Sequence, residues 1–239
     1  TERDYRLAER DIARGCRFAD ENASWLEPYA LFRALKDAMG EEPWWEWPEK
    51  YRSFDRALLG ERSLRLRVRR HMADQLLFER AWERIRAYAA ERGIAIIGDM
   101  PMYVAADSAD VWAHPGIFDP ALLAGAPPDP LGPQGQLWGN PTFRWDVLGE
   151  SGYAWWLERF GRMFALYDYV RLDHFVGFSS YYGIPAGKTA LEGAWRFGPG
   201  KKLFTAAYDR FGPLPLLAED LGTITPAVRA LLAEVGAPG

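Results

Sequence analysis

Two short apolar runs end in acid: Tyr169-Val170-Arg171-Leu172-Asp173-His174 and Leu216-Leu217-Ala218-Glu219-Asp220. Each reads as a buried strand delivering a carboxylate at its C-terminal edge, where barrel and open α/β folds place their chemistry. A third run, Ile94-Ala95-Ile96-Ile97-Gly98-Asp99, repeats the pattern upstream. Two carboxylates on one rim are the minimum equipment for breaking and remaking a glycosidic bond. On a strand, Arg171 and Asp173 point to one face with Leu172 opposite. An arginine there would keep Asp173 ionised, as a carboxylate nucleophile requires; the same two residues also fit a structural ion pair closing a strand end. Glu219 and Asp220 point to opposite faces, so only one shares the mouth with Asp173, and Glu219 is the choice. In an apolar mouth its pKa would rise, suiting a general acid that later acts as a base. Asp220 then supports the loop or a neighbouring hydroxyl; the plainer alternative for the two acids is a cap before the helix at Pro226. Asp99, followed by Met100-Pro101-Met102-Tyr103, fits a hydroxyl-binding or Arg171-orienting acid and equally an Asx turn before proline.

The elements that would position these acids alternate. Residues 1–60 carry no convincing strand: Asp4–Arg14 and Glu27–Met39 read as helices, and Glu42-Pro43-Trp44-Trp45-Glu46-Trp47-Pro48 as an aromatic loop between prolines. Ser63–Arg92 reads as one long helix, with Leu64, Val68, Met72 and Leu76 at four-residue steps and Phe78, Trp82, Ile85 and Ala89 continuing the stripe. Gly93 ends it, and strand Ile94–Ile97 follows. Helices are expected again at Gly152–Tyr167, Lys201–Phe211 and Pro226–Glu234, each adjoining an apolar run. The fold class is therefore α/β. Between Met100 and Glu150 periodicity vanishes, and eight of the chain's 17 prolines fall between Pro101 and Pro141. Tyr103, Trp112, Phe118, Trp138, Phe143 and Trp145 make this stretch too apolar for a solvated linker, so it reads as a large ordered loop over an active face.

Composition narrows the classes. The 239 residues are 49% hydrophobic with a formal net charge of -4, giving no electrostatic reason to expect nucleic acid or an anionic membrane as partner. The single cysteine, Cys16, excludes an internal disulfide, and no apolar run is long enough to span a bilayer, so a cytoplasmic protein is the default expectation. With three histidines, no paired-histidine helical spacing and no phosphate-binding glycine loop, neither a metal nor a nucleotide site is expected. Aromatic content is high, at 15% with 11 Trp. Asp129, Gln136, Trp138 and Asn140, on a Pro/Gly-rich loop, are the parts of a sugar subsite, a stacking plane ringed by hydrogen-bonding groups. They also fit an elaborate turn with Trp138 pinned in the core.

Five segments together resemble the 4-α-glucanotransferases of glycoside hydrolase family 77: Gly98–Ala105, Ser108–Trp112, the Gly125–Pro141 loop, Arg171–Phe175 and Ala218–Gly222. The resemblance implies part of a (β/α)8 barrel, about strands three to five, with residues 1–60 as an inserted helical subdomain and 61–239 as the central barrel segment carrying the 100–150 loop. It implies Asp173 as nucleophile and Glu219 as acid/base. Substrate contacts would come from Asp99, Tyr103, Asp129, Gln136, Trp138, Asn140, Arg171, His174 and Asp220. The implied partners are α-1,4-glucans and maltooligosaccharides, with no metal or organic cofactor, and carboxyl groups about 5 Å apart for a retaining reaction. A related α-glucan hydrolase is the alternative. The family's opening strands and a third carboxylate, in a His-Asp pair, would lie outside Thr1–Gly239. The 239 residues alone are accordingly expected to bind or self-associate rather than transfer.

Overall fold

Segment 63–92 does fold as a helix, but it belongs with the residues before it. A computed structural model of the chain describes every residue except Leu131 and Thr223, and its contacts divide it into two compact units. Thr1–Arg92 and Asp107–Pro115 form the first; Gly93–Ala106 and Gly116–Gly239 form the second.

The first unit is helical: α1 (Glu2–Arg14), α2 (Arg17–Glu21), α3 (Ala23–Ala38), α4 (Arg65–Ala90) and α5 (Ala109–Ala113). Thr1 caps α1 reciprocally with Asp4, satisfying an orphan N–H of the first turn. α4 packs on both α1 and α3. Its N-terminal stripe is buried as expected, with Leu64, Val68 and Leu76 inside. The stripe breaks after Leu76, because Phe78 lies two residues, or about 200°, beyond it around the helix; Phe78 and Ile85 are exposed, while Ala89 is buried as expected. The main core gathers Leu31, Phe32, Leu35, Trp47, Tyr51, Val68 and Trp112. Trp112 is completely buried and donates its Nε1–H to Tyr51 O at 2.7 Å. Buried Lys36 donates to Asp107 and to the carbonyls of Glu41 and Glu42. These two anchors bring 107–115 into the helical unit. The compact helical unit thus runs past residue 60 to Arg92, with one later segment added.

The second unit holds β1 (Ile97–Met100), β2 (Phe118–Ala126), β3 (Gln136–Phe143), α6 (Trp145–Glu150), α7 (Ala154–Leu166), β4 (Tyr169–Leu172), α8 (Val176–Ser179), β5 (Ser180–Pro185), β6 (Ala194–Phe197), α9 (Lys201–Phe211), β7 (Leu216–Ala218) and α10 (Pro226–Val235). The three acid-tipped runs form one parallel sheet, ordered β1-β4-β7. Behind it Trp156, Phe160, Phe175, Phe178 and Phe204 interlock, with ring centroids 5.3 Å apart for Trp156–Phe178 and for Phe178–Phe204. Gly98 is required in β1, since a Cβ there would overlap the Tyr167 ring. β1 begins three residues later than the apolar run suggests. Ile96 is already engaged with Asp168, so the ladder opens at Ile97 opposite Tyr169.

The 100–150 stretch is not a plain loop. β2 and β3 pair antiparallel within a second sheet, ordered β3-β2-β5-β6. Register shifts between Asp119 and Leu123 and between Leu123 and Gly125, together with Pro120, Pro141 and a positive φ of 79° at Gly139, erase the two-residue alternation that marks a strand. Leu131, within the quoted loop motif, lies outside the described residues.

Candidate active site

Parallel register assembles the acids. Asp99 on β1 stands beside Arg171 on β4, and Arg171 beside Leu217 on β7. Just past the strand ends, Asp173 N donates to Met100 O and Glu219 N to Leu172 O, each at 3.0 Å. The ladder thus holds both acids by their own backbone at the C-terminal edge. Leu172 is buried on the opposite face, as alternation requires.

Arg171 is the hub. Its Nη1 donates to Asp99 Oδ1 at 2.7 Å and its Nη2 to Glu219 Oε2 at 2.8 Å, while Asp173 Oδ1 lies 3.6 Å from Nη1. One guanidinium therefore faces three carboxylates. His174 follows with φ of 52°, in the left-handed region that costs a residue other than glycine roughly 1 kcal/mol. That turn aims its backbone N–H at Glu219 Oε2, 3.0 Å away.

The electrostatics run opposite to the pKa directions expected for the two acids, without bearing on which is nucleophile. Burial, a hydrogen bond shared with Glu219 and the charges of Glu219 and Asp99 push Asp173 up to about 6, against a smaller opposing pull from Arg171. Burial also raises Glu219, but the His174 N–H, the Asp173 hydrogen bond and Arg171 outweigh it and leave Glu219 below the usual range. The reason is geometric: the donors that sequence reasoning assigned to Asp173 sit on Glu219 and Asp99 instead. The two carboxyls stand at the ends of neighbouring strands, close enough for each to influence the other's proton.

Above them opens a cleft of about 320 Å³ lined by Pro101, Tyr103, Trp138, Asn140, Asp173, His174 and Glu219. Trp138 is partly open to solvent, and its Nε1–H donates to Gln136 Oε1 at 2.9 Å, which fixes the indole tilt. Its ring meets His174 edge-on at 5.0 Å. Tyr103 stacks on Phe143, with centroids 6.0 Å apart and planes at 16°. Asn140 Nδ2 donates to Val104 O at 2.8 Å, tying β3 to the loop after β1. His174 Nε2 is buried without a partner, and burial lowers the ring's pKa, so the ring sits neutral beside the cleft. A larger groove of about 410 Å³ between α9 and α10 holds one Lys201–Glu234 pair but no cluster of acids, so volume alone does not mark the chemistry.

Of the residues singled out from the sequence, Asp173, Glu219, Tyr103, Trp138, Asn140 and His174 line one cleft, with Arg171 and Asp99 directly beneath and Gln136 holding Trp138. Two are not brought there. The Asp129 carboxylate accepts from Gly132 N at 2.6 Å, closing a tight 129–132 turn. Asp220 is exposed, with Gly239 against its carboxyl group. Pro101, in contrast, lines the cleft without having been singled out; its only signal is its position directly after an acid-bearing strand. Among the described residues no group of three His, Cys, Asp or Glu side chains could hold a metal ion, and no helix is long and apolar enough to cross a membrane.

Carboxylates at the C-terminal ends of parallel strands, under an aromatic loop, define an α/β fold of the glycoside-hydrolase class. The family model of glycoside hydrolase family 77, described as 4-alpha-glucanotransferase, matches residues 4–239, and the chain belongs to that family. It is 48% identical over 231 residues to the 4-alpha-glucanotransferase of Thermus thermophilus, covering 93% of this chain and 46% of that protein. The chloroplastic/amyloplastic 4-alpha-glucanotransferase of Solanum tuberosum is 40% identical over 226 residues, covering 91% and 39%. The solved structure of amylomaltase from Streptococcus agalactiae in complex with acarbose superposes with a TM-score of 0.87 at 38% identity, over 95% of this chain and 47% of that one. Amylomaltase from Corynebacterium glutamicum, at 22% identity and a TM-score of 0.72, shares the fold. The chain spans less than half the length of the curated relatives it matches.

Proposed function

We propose that these residues are the central part of a retaining 4-α-glucanotransferase, which moves segments of α-1,4-glucan onto the 4-hydroxyl of another glucan or of glucose in the cytoplasm. The observation that carries this reading is the seating of Asp173 and Glu219 at the ends of adjacent parallel strands, both joined to Arg171. The names of the matched relatives support it. In this reading β1, β4 and β7 are consecutive strands of a larger (β/α)8 barrel, and the helical unit is inserted between barrel elements.

Asp173 attacks the anomeric carbon while Glu219 gives its proton to the glycosidic oxygen; the C–O bond breaks and the shortened glucan leaves. Glu219 then takes the proton of the acceptor's 4-hydroxyl, whose oxygen displaces Asp173 and restores the α-linkage. The first step needs one proton, on Glu219; the second starts with Glu219 ionised and returns that proton to it. In the free cleft Asp173 holds a proton more readily than Glu219, so binding of the sugar must shift that preference to Glu219. Arg171 is placed for this exchange, since its Nη1 already lies 3.6 Å from Asp173 Oδ1. Trp138 and Tyr103 offer sugar-stacking faces, and Asn140 and His174 offer hydrogen-bonding groups. Asp129 shapes the turn at the base of the loop, and Asp220 supports the segment after β7. No metal or organic cofactor enters any step.

Maltotriose incubated with the whole protein tests the reading. A ladder of glucose and oligosaccharides longer than maltotriose is expected. Shortening alone would make the protein a hydrolase, and unchanged maltotriose would overturn the assignment.

A further inference from the structure

Beyond the cleft itself, the geometry points to Arg159 as a positioning residue that sets the Pro101–Tyr103 lip, and through it the binding of the sugar chain. This rests on the reading of the cleft as a glucan site. After Met100 the chain leaves the sheet, and Pro101 has no N–H with which to continue a ladder. The carbonyls of Pro101 and Met102 therefore need donors from elsewhere. Arg159, on α7, supplies both: its Nη2 donates to Pro101 O at 2.5 Å and its Nη1 to Met102 O at 3.3 Å. Its guanidinium lies 5.5 and 5.2 Å from the ring centroids of Trp155 and Trp156, so the fork is itself held by α7's aromatic face.

The clamped segment touches the chemistry on two sides. Pro101 lines the cleft, and Tyr103 places its ring 6.1 Å from Trp138 and 6.3 Å from His174. Met102, buried between them, fills the space above Gly177 next to the His174 ring; a Cβ on Gly177 would overlap its sulfur. Two hydrogen bonds from one planar fork fix both the height and the rotation of this lip. A lysine, with a single point charge, can hold one carbonyl well but not both. Freed from the fork, the lip would let the Tyr103 ring drift relative to Trp138, and the two would no longer frame one sugar.

In the whole protein, Arg159→Met should raise KM for maltotriose about tenfold while kcat changes less than about threefold, because binding geometry rather than proton transfer is disturbed. Arg159→Lys should recover part of the loss. Tyr103→Ala should raise KM by a similar factor, and the double variant should be no worse than Tyr103→Ala alone. Quenching of tryptophan fluorescence by maltotriose should weaken in parallel with KM. A merely structural role would lower Tm and leave KM unchanged, or would add to the Tyr103 effect in the double variant; either result overturns the inference. If Arg159→Met fails to fold, Arg159→Gln and Arg159→Lys carry the same KM comparison. An active wild-type protein with unaffected Arg159 variants defeats this inference only, whereas a wild-type protein that neither transfers nor binds maltotriose defeats the glucan reading as well.

Discussion

The two units spend charge and aromatic rings differently. In the helical unit, buried polar tips have dedicated partners: Lys36 meets Asp107 and two carbonyls, Trp47 Nε1 donates to Glu42 O, and Trp112 Nε1 to Tyr51 O. In the α/β unit, one arginine faces three carboxylates, and a buried histidine nitrogen has no partner. Like charges held together raise the free energy of the folded state and persist only where the surrounding sheet fixes them. Local satisfaction thus marks the unit that contributes stability, and concentrated frustration marks the unit that carries chemistry.

Substitutions can break that contrast, and the largest effect belongs to the proposed nucleophile. Asp173→Asn should lower transfer between maltooligosaccharides by at least about 10³-fold with Tm near or above that of the wild type, because a like charge is removed from the cluster; product chromatography together with thermal unfolding reads both. Trp112→Ala should do the reverse. Emptying that site, packed by Phe32, Trp47 and Phe54 with centroids 5.6, 6.2 and 5.8 Å away, should cost roughly 3–5 kcal/mol of stability, seen as a lowered unfolding midpoint, with KM unchanged below the transition. Trp138→Ala removes a stacking face and should raise KM about tenfold with a smaller change in kcat, measured with maltotriose.

The smallest effect is a shift in pH dependence. With the first proton of the pair taken up on Asp173 at about 6, kcat/KM should fall as pH rises through about 6, because the pair then lacks the proton that Glu219 must give to the leaving oxygen. Asp99→Asn deletes one of the charges that raise Asp173 and frees Arg171 Nη1 to turn toward it. Both changes lower the Asp173 pKa, so the alkaline limb of the kcat/KM profile should move to lower pH. A limb that stayed in place would show that Asp173 is not the titrating group.

The acids were legible in the sequence because each follows a run of apolar residues long enough to be a buried strand, and because Arg171 and Asp173 are two apart. Their protonation was not legible: it depends on where Arg171's fork and the His174 N–H point, which only the parallel register and a left-handed backbone decide. β2 and β3 were hidden by bulges and prolines that destroy alternation. The unit boundary was hidden because α4 carries its buried stripe toward α1 and α3, whereas the glycine after it looked like an entry to the sheet. The Trp138 loop was legible by composition alone, since a Pro/Gly-rich stretch with that many aromatic rings has no reason to be solvated.

The central claim is that Asp173 becomes covalently bonded to sugar while Glu219 moves the proton. Intact-protein mass spectrometry of the Glu219→Gln variant of the whole protein, incubated with maltotriosyl fluoride, tests it directly. Fluoride needs no acid to leave, and without Glu219 the ester should turn over slowly. The account predicts a maltotriosyl adduct that maps by peptide digestion to Asp173. An adduct on another residue, or none while the fluoride is consumed, would contradict it.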